Sequence, residues 1–286
     1  MTRGLLYIAT GEPFVREAVI SAKRAKNVMN DYPIAIITDI DLDANVNIDK
    51  HVFDHIIEIN NAEQNSGDQI KYMDKSPFDR TIFLDTDIYI HSDISDLFDV
   101  LDQFDIAASL SPTGKNQRVD PDLPDAYPEY NTGVVVFQNN KKIGRFLSKW
   151  EETYRRDKTQ QNWPNQPSFR ETVFHSDLRI ATIPPEYHLL IRQPGYVKGE
   201  VKAAHGRLLE VGHLSGGGRK NLDVPSAVEK LNQSEHGRVY TLGLRNIRVH
   251  SNSKLYILKN SLKIYGTKKT IKLALGKIKR MINKIR

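Results

Sequence analysis

The chain has 286 residues, of which 39% are hydrophobic and 27% charged, a composition typical of folded globular proteins. It contains no cysteine, which excludes disulfides, thiolate zinc sites and cysteine nucleophiles. No apolar run reaches ten residues, so we expect neither a transmembrane helix nor a secretory signal.

The positive charge of the chain is concentrated at its carboxyl end. The net charge is +6, yet residues 254–286 contain eleven Lys and Arg and no Asp or Glu. The other 253 residues carry 30 basic and 35 acidic groups, a net charge of −5. This division predicts a mildly acidic domain over residues 1–253 and a basic tail over residues 254–286 that meets anionic surfaces.

Short apolar runs alternate with amphipathic segments in the first half of the chain, which predicts a mostly parallel α/β sheet flanked by helices. The predicted strands cover residues 5–10, 34–38, 55–59, 81–84, 106–109 and 133–137. A helix is predicted after Gly11, because Pro13 is tolerated in a first turn and apolar residues follow at helical spacing. A stronger helix carries its apolar residues, from Ile143 to Tyr154, on one face.

Two stretches lack a regular pattern. Residues 111–130 contain four prolines, and residues 195–218 contain seven of the 17 glycines. Long irregular segments inside a compact domain are usually functional loops. We therefore expect both stretches to order over a bound substrate.

Two carboxylates, Asp85 and Asp87, directly follow the predicted strand 81–84. On a regular strand they would point to opposite faces, so they serve one site only if the chain turns there. Ligands of α/β proteins bind at the carboxyl ends of strands, where paired carboxylates suit a hard divalent cation. The alternative is a structural role, since Asp is common in turns and caps.

Asp85-Thr86-Asp87 resembles the DxD motif of the glycogenin-like (family 8-like) retaining glycosyltransferases, and the resemblance spans about residues 5–215. It implies a GT-A-like fold, in which a Rossmann-like, mixed and mostly parallel sheet is flanked by helices. It also implies that Asp85 and Asp87 hold Mn²⁺ or Mg²⁺ against the diphosphate of a UDP-sugar donor. The first carboxylate, Asp85, would also meet the nucleoside.

The same resemblance implies a nucleotide site formed by Thr10, Phe14 and Lys71. Thr10 closes the first strand, and Phe14 would stack on the uracil base. The alternative for Phe14 is a core position in the first helix. Lys71 would approach the nucleotide sugar, and its alternative is an exposed helix charge.

Three polar residues are implied to lie at the donor sugar. Asn131 belongs to a turn, Tyr130-Asn131-Thr132-Gly133, that resembles the Asn-Ser-Gly turn of the family. Asn165 and Gln166 match the family's Asp-Gln pair, with Asn in place of Asp. Because Asn165 carries no charge, the donor-sugar contact and the identity of that sugar stay open.

A third metal ligand is implied to be a histidine, and two candidates compete. His205 ends an apolar run and is followed by Gly206 and Arg207, whereas His213 begins a segment that resembles the family's His-x-x-Gly-x-x-Lys with Arg219 in place of Lys. We favour His205. Arg207 or Arg219 would then offset the charge of the diphosphate.

The tail reads as a basic amphipathic helix, with lysines around an apolar face. That face consists of Ile271, Leu275, Ile278, Ile282 and Ile285. Such helices lie in the headgroup plane of anionic membranes, which predicts a cytoplasmic protein peripheral to the inner face of the membrane. The alternatives are a helix packed on the core and a nucleic-acid arm, and the apolar face disfavours nucleic acid as a partner.

Together these features predict a metal-dependent glycosyltransferase that moves a sugar from a UDP-sugar to a glycan, lipid-linked or protein acceptor, with retention implied by the resemblance. An inverting route stays open because the 111–130 stretch contains candidate bases. These are Asp120, Asp122, Asp125 and Glu129.

Two other functions are kept as alternatives. One is a non-catalytic nucleotide-sugar-binding protein. The other is a haloacid-dehalogenase-like phosphoryl-transfer enzyme, which Tyr89 disfavours because that motif requires Thr or Val there.

Overall fold

A computed structural model of the chain describes residues 1–251 except 46, 112–121, 158–163, 210–221, 234–237 and 243–246, together with residues 267 and 271. The strands are β1 (Arg3–Ala9), β2 (Ile34–Thr38), β3 (His55–Glu58), β4 (Arg80–Leu84), β5 (Ile88–Ile90), β6 (Ile106–Leu110), β7 (Tyr130–Gln138), β8 (Ile180–Ile183), β9 (Leu189–Leu190), β10 (Gly195–Val197), β11 (Ala203–His205), β12 (Arg238–Leu242) and β13 (Ile247–Ser251). The helices are α1 (Glu12–Val28), α2 (Ser66–Tyr72), α3 (Leu97–Val100), α4 (Lys141–Asp157), α5 (Gln166–Phe174) and α6 (Val224–Asn232).

Seven strands form the central sheet in the order β3-β2-β1-β4-β7-β6-β8. Four neighbouring pairs are parallel, and the two pairs that involve β7 are antiparallel. The sheet is therefore mixed and mostly parallel, which confirms the predicted fold class.

The central strands are apolar runs because both faces of the sheet are covered. All five residues of β2 and of β4 are buried. Helix α1 packs into the core on one face, and α2, α4 and α5 contribute to the core on the other. The predicted apolar face of α4 is buried in this second core, where Trp150 packs edge-on against Phe169 of α5 at a centroid distance of 4.8 Å.

A smaller third core lies beside the main sheet. It is built around two three-stranded sheets, β5-β11-β9 and β10-β12-β13, with helix α6. The sequence predicted an irregular stretch over 195–218, but β10 and β11 lie within it. Each has only three residues, too few for a periodic pattern to show.

Parallel strands bring their carboxyl ends to one edge of the sheet, and the antiparallel strand β7 begins at that edge. The end of β4 and the start of β7 are joined there by a backbone hydrogen bond, in which the Asp85 N–H donates to the Gly133 carbonyl oxygen at 2.8 Å. The site described below lies at this edge.

Within the described residues, no helix is long and apolar enough to cross a membrane. The predicted tail helix lies outside the described part of the chain, except for Thr267 and Ile271. Most of the 111–130 stretch and the end of the 195–218 stretch also lie outside it.

Candidate functional site

The chain turns immediately after β4, as a shared site for Asp85 and Asp87 requires. The Ile88 N–H donates to the Asp85 carbonyl oxygen at 3.2 Å, and β5 then continues in a different sheet. This turn directs both carboxylates toward the same side chain, His205.

His205 reaches the carboxylates because β11 pairs with β5 in a register that places His205 opposite Ile88. Its Nε2 lies 3.0 Å from Oδ1 of Asp87 and 3.9 Å from Oδ2 of Asp85. One ligand atom from each of the three residues lies within 4.8 Å of the others, so the cluster could hold a metal ion. The competing candidate, His213, lies outside the described residues.

Gly133 forms the floor of this cluster. A Cβ atom at this position would lie 2.7 Å from Cε1 of His205 and 2.9 Å from Oδ2 of Asp85. The pairing of β6 with β7 is irregular here, because Ala108 faces Val135 whereas the next residue, Ser109, faces Asn131. Any larger residue would displace both candidate ligands.

The surroundings of Asp85 and Asp87 shift the pKa values of the two carboxyl groups in opposite directions. Burial raises the pKa of Asp85 and outweighs the opposing charges of His205 and Arg207, and the Asp87 charge raises it further. The Asp85 side chain keeps 32% of its accessible surface, so water moderates this rise. Burial also opposes ionisation of Asp87, yet the charge and hydrogen bond of His205 and the charge of Arg207 hold its pKa well below the usual range.

The pKa of His205 rises for the complementary reason. Burial acts to lower it, but the Asp87 carboxylate, through its charge and its hydrogen bond, outweighs burial. Both shifts favour an ion pair between His205 and Asp87 in the absence of a metal.

Glu17 of α1 joins the turn after β4 to the loop after β11. Its side chain is fully buried and accepts hydrogen bonds from Thr86 Oγ1 at 2.9 Å, Arg207 Nη1 at 2.8 Å and the Leu208 N–H at 2.9 Å. Sequence reasoning missed this residue. Its signal was an acidic residue that shares a helix face with Phe14, Ala18 and Ser21.

Arg207 lies beside the cluster. Its Nε is 3.7 Å from Oδ2 of Asp87. Its guanidinium also lies over the ring of Phe14, 5.6 Å from the centroid. Phe14 is half-buried and packs against the first core, so it combines a core position with one face toward Arg207. Arg219 lies outside the described residues.

The predicted sugar-binding residues lie at the start of β7 and of α5. Asn165 is 5% exposed, and its Oδ1 accepts from Thr132 Oγ1 at 2.7 Å while its Nδ2 donates to Gln69 Oε1 at 2.6 Å. Gln69 closes the ring by donating from Nε2 to the Thr132 carbonyl oxygen at 2.8 Å. An aspartate at position 165 could not donate to Gln69, which is a structural reason for Asn there.

Asn131 and Gln166 differ in how they are held. The Asn131 Oδ1 accepts from the Gly133 N–H at 2.9 Å, so this side chain shapes the turn against which the cluster lies. Gln166 is the first residue of α5 and is half-buried. No side-chain hydrogen bond of Gln166 occurs among the described residues.

Two predicted nucleotide-binding residues make contacts away from the cluster. Thr10 follows β1 and donates from Oγ1 to Asp68 at 2.9 Å. Lys71 donates from Nζ to the Asn61 carbonyl oxygen at 2.9 Å and lies over the Tyr72 ring. Among the residues described, neither side chain contacts Asp85, Asp87 or His205.

Glu129 is the candidate base that the structure places most clearly. It is 7% exposed, and within the described part of the chain its buried Oε2 has no hydrogen-bond partner. Burial raises its pKa, against the opposing charge of Arg170 and a hydrogen bond from Ser111. Asp122 and Asp125 are described, and Asp120 is not.

Comparison with known proteins finds no matching family model and no matching curated protein. Among solved structures, the galactosyltransferase LgtC in complex with donor and acceptor sugar analogues superposes with a TM-score of 0.52 and 12% identity, over 65% of this chain and 75% of that one. An active-site mutant of LgtC gives a TM-score of 0.53 and 12% identity, over 71% and 86%.

GlyE from Streptococcus pneumoniae gives a TM-score of 0.47 and 14% identity, over 67% of this chain and 47% of its own. At such identities a likeness shows the fold, and the LgtC superpositions are the ones that carry it. The chain has the GT-A fold of these glycosyltransferases, with the Asp85, Asp87 and His205 cluster at the carboxyl end of β4.

Proposed function

We propose that this chain is a metal-dependent, family 8-like glycosyltransferase that uses a UDP-sugar donor and retains the anomeric configuration. The observation that carries the proposal is the cluster of Asp85, Asp87 and His205 at the carboxyl end of a central strand in a GT-A fold. Ligands of open α/β sheets bind at that edge.

The residues of the cluster fit a transition-metal cation. Two carboxylates and one imidazole form a mixed oxygen and nitrogen donor set, which suits Mn²⁺ better than Ca²⁺. Gly133 adds a floor without a side chain, against which Asp85 and His205 both lie. A bound cation would offset the negative charge that grows on the departing UDP.

The protein side chains then divide the remaining work. Arg207, fixed by Glu17, would add a second positive charge beside the diphosphate. Gln166 would offer its amide to the donor sugar, whereas Asn131 and Asn165 hold the turn and the helix start that position it. Thr10 and Phe14 would receive the nucleoside, and Lys71 would approach the nucleotide sugar. Arg219 remains a second candidate for the diphosphate.

A screen of several UDP-sugars for UDP release, with and without Mn²⁺, tests this function. We expect Mn²⁺-dependent hydrolysis of at least one donor, together with UDP binding by isothermal titration calorimetry. UDP binding without turnover of any donor would favour the non-catalytic alternative. Phosphatase activity without UDP binding would favour phosphoryl transfer.

The basic tail supports two further parts of the proposal, the place of the enzyme in the cell and the kind of acceptor. Residues 254–286 combine eleven positive charges with an apolar face, so they would hold the enzyme at the inner, anionic face of a membrane. A lipid-linked acceptor, or a glycan or protein at that surface, would then lie within reach of the site.

A further inference from the structure

His205 has two ring nitrogens, and only one of them faces the carboxylates. Nε2 lies 3.0 Å from Asp87, whereas Nδ1 lies 2.9 Å from Nε2 of His188. A neutral imidazole carries one proton, so it can offer a lone pair at Nε2 only when that proton is on Nδ1. The partner of Nδ1 therefore decides whether Nε2 is available to a cation.

That partner, His188, is itself held in place. It is 3% exposed, and its ring stacks on that of His205 with centroids 5.0 Å apart. Its Nδ1 lies 3.1 Å from Oγ of Ser109. Ser109 lies in β6 at the irregular pairing with β7, a kind of site that redirects a side chain.

Ser109, His188 and His205 are linked by a row of hydrogen bonds. If the Ser109 hydroxyl donates to a carbonyl oxygen, the donor and acceptor of each bond in this row are fixed. The Ser109 hydroxyl lies 3.4 Å from the Leu110 carbonyl oxygen, which can only accept. The Ser109 oxygen then accepts from Nδ1–H of His188. With its single proton on Nδ1, His188 accepts at Nε2 from Nδ1–H of His205.

This direction leaves the other nitrogen of His205 facing the carboxylates. With the Nδ1 proton shared with His188, Nε2 lies 3.0 Å from Oδ1 of Asp87. A cation bound there would meet the Nε2 lone pair, and the proton would stay on Nδ1.

We propose that His188 and Ser109 are positioning residues that keep the His205 proton on Nδ1 and its Nε2 lone pair directed at the cation. This inference rests on the proposed metal-dependent function. Partners of this kind fix the tautomer and orientation of a ligating histidine, and their loss typically weakens metal affinity about 10- to 100-fold.

Mn²⁺ affinity in the presence of saturating UDP, measured by electron paramagnetic resonance of free Mn²⁺, tests the proposal. His188→Phe keeps a ring but removes the acceptor, and it should weaken binding about 10- to 100-fold. Ser109→Ala should weaken binding to a smaller extent. His188→Gln, which restores an acceptor near the Nε2 position, should recover affinity close to that of the wild type.

Two controls separate positioning from damage to the fold. His55→Phe, an exposed histidine of β3, should leave Mn²⁺ affinity unchanged. The melting temperatures of the metal-free variants show which of them fold. Nitrogen-15 spectra of the metal-free wild type should also show protons on Nδ1 of both His188 and His205, a readout that needs no metal.

The outcomes distinguish the two proposals. If the wild type binds neither UDP nor Mn²⁺, the proposed function is wrong, and the positioning role is wrong with it. If the wild type binds both and folded His188→Phe binds Mn²⁺ equally tightly, only the positioning role is wrong. A proton on Nε2 of His188 in the spectra would overturn it as well.

Discussion

At the scale of single residues, the account depends on three candidate ligand atoms. Two belong to neighbouring carboxylates, and the third belongs to a histidine from a distant part of the chain. Asp85 and Asp87 could be predicted because they follow an apolar run and form a short motif. His205 could only be one of two candidates, since the carboxylates that it faces are more than a hundred residues away in sequence. Glu17 and His188 escaped prediction because each also has a partner far away in sequence, Thr86 and Ser109 respectively.

Substitution of the proposed ligands should separate metal binding from folding. Asp87→Ala should abolish Mn²⁺-dependent UDP release because it removes a ligand, while the main sheet stays intact. Asp85→Ala should behave similarly and lose more UDP affinity. UDP release and circular dichroism check both expectations, and unchanged activity in Asp87→Ala would refute the metal assignment.

The two histidines form a matched pair for the third ligand. His205→Ala should lose the dependence on Mn²⁺, whereas His213→Ala should keep it. Titration of UDP release with Mn²⁺ provides the comparison. The reverse result would transfer the ligand role to His213, and no effect in either variant would exclude both.

The affinity for Mn²⁺ should depend on pH in a direction set by the cluster. The pKa values of Asp85 and His205 are both raised, so each holds a proton to higher pH than usual and must release it to bind a cation. Affinity should therefore fall as pH falls, beginning above the ordinary carboxyl pKa of about 3.9. Calorimetry across about pH 5 to 8 measures this trend, and a flat profile would contradict it.

At the scale of elements, the long strands were predictable and the short ones were not. Strands β1, β2 and β4 are covered on both faces and therefore appear in the sequence as apolar runs. Strands β5, β9, β10 and β11 have two or three residues each. Their positions are set by pairing with strands that are distant in sequence, so no local sequence pattern predicts them.

Helix α1 connects the two segments that carry the candidate ligands, because its Glu17 accepts hydrogen bonds from Thr86 and from Arg207. Glu17→Gln removes the charge that faces Arg207, and breaking a buried pair in this way costs about 3 to 5 kcal/mol. We expect a loss near the lower end of that range, because the Arg207 side chain is 24% exposed. UDP affinity should weaken as well, since Arg207 loses its charged partner and an NH2 donor replaces one of the two accepting oxygens of residue 17.

Urea unfolding measures this loss, and Glu12→Gln on the same helix is the control. Glu12 pairs with Arg16 at the surface, an interaction worth about 1 kcal/mol or less. Equal free energies of unfolding for the two variants would mean that Glu17 does not stabilise the site.

At the scale of the whole molecule, the sequence predicted the class of the sheet but not the order of its strands. The reversal of β7 places Asn131 and Gly133 beside the end of β4, and this reversal has no local signature. The division of charge between body and tail, in contrast, is a property of composition and could be read directly.

Removal of residues 254–286 should abolish membrane binding without affecting the reaction with the UDP-sugar. A protein ending at Asn252 should keep UDP binding and donor hydrolysis but lose sedimentation with anionic vesicles, to which each Lys or Arg near the surface contributes about 1 kcal/mol. Binding of the full chain should also weaken with salt. Co-sedimentation of the truncated protein, or tight binding of the full chain to duplex DNA instead of vesicles, would contradict the membrane role.

The central claim is that one divalent cation binds between Asp85, Asp87 and His205 at a nucleotide site. A crystal grown with Mn²⁺ and UDP and measured for manganese anomalous scattering tests it most directly. We predict a single strong anomalous peak within coordination distance of both carboxylates and of Nε2 of His205, with the UDP diphosphate against it. UDP bound with the manganese peak elsewhere, or a crystal with neither at this cluster, would contradict the account.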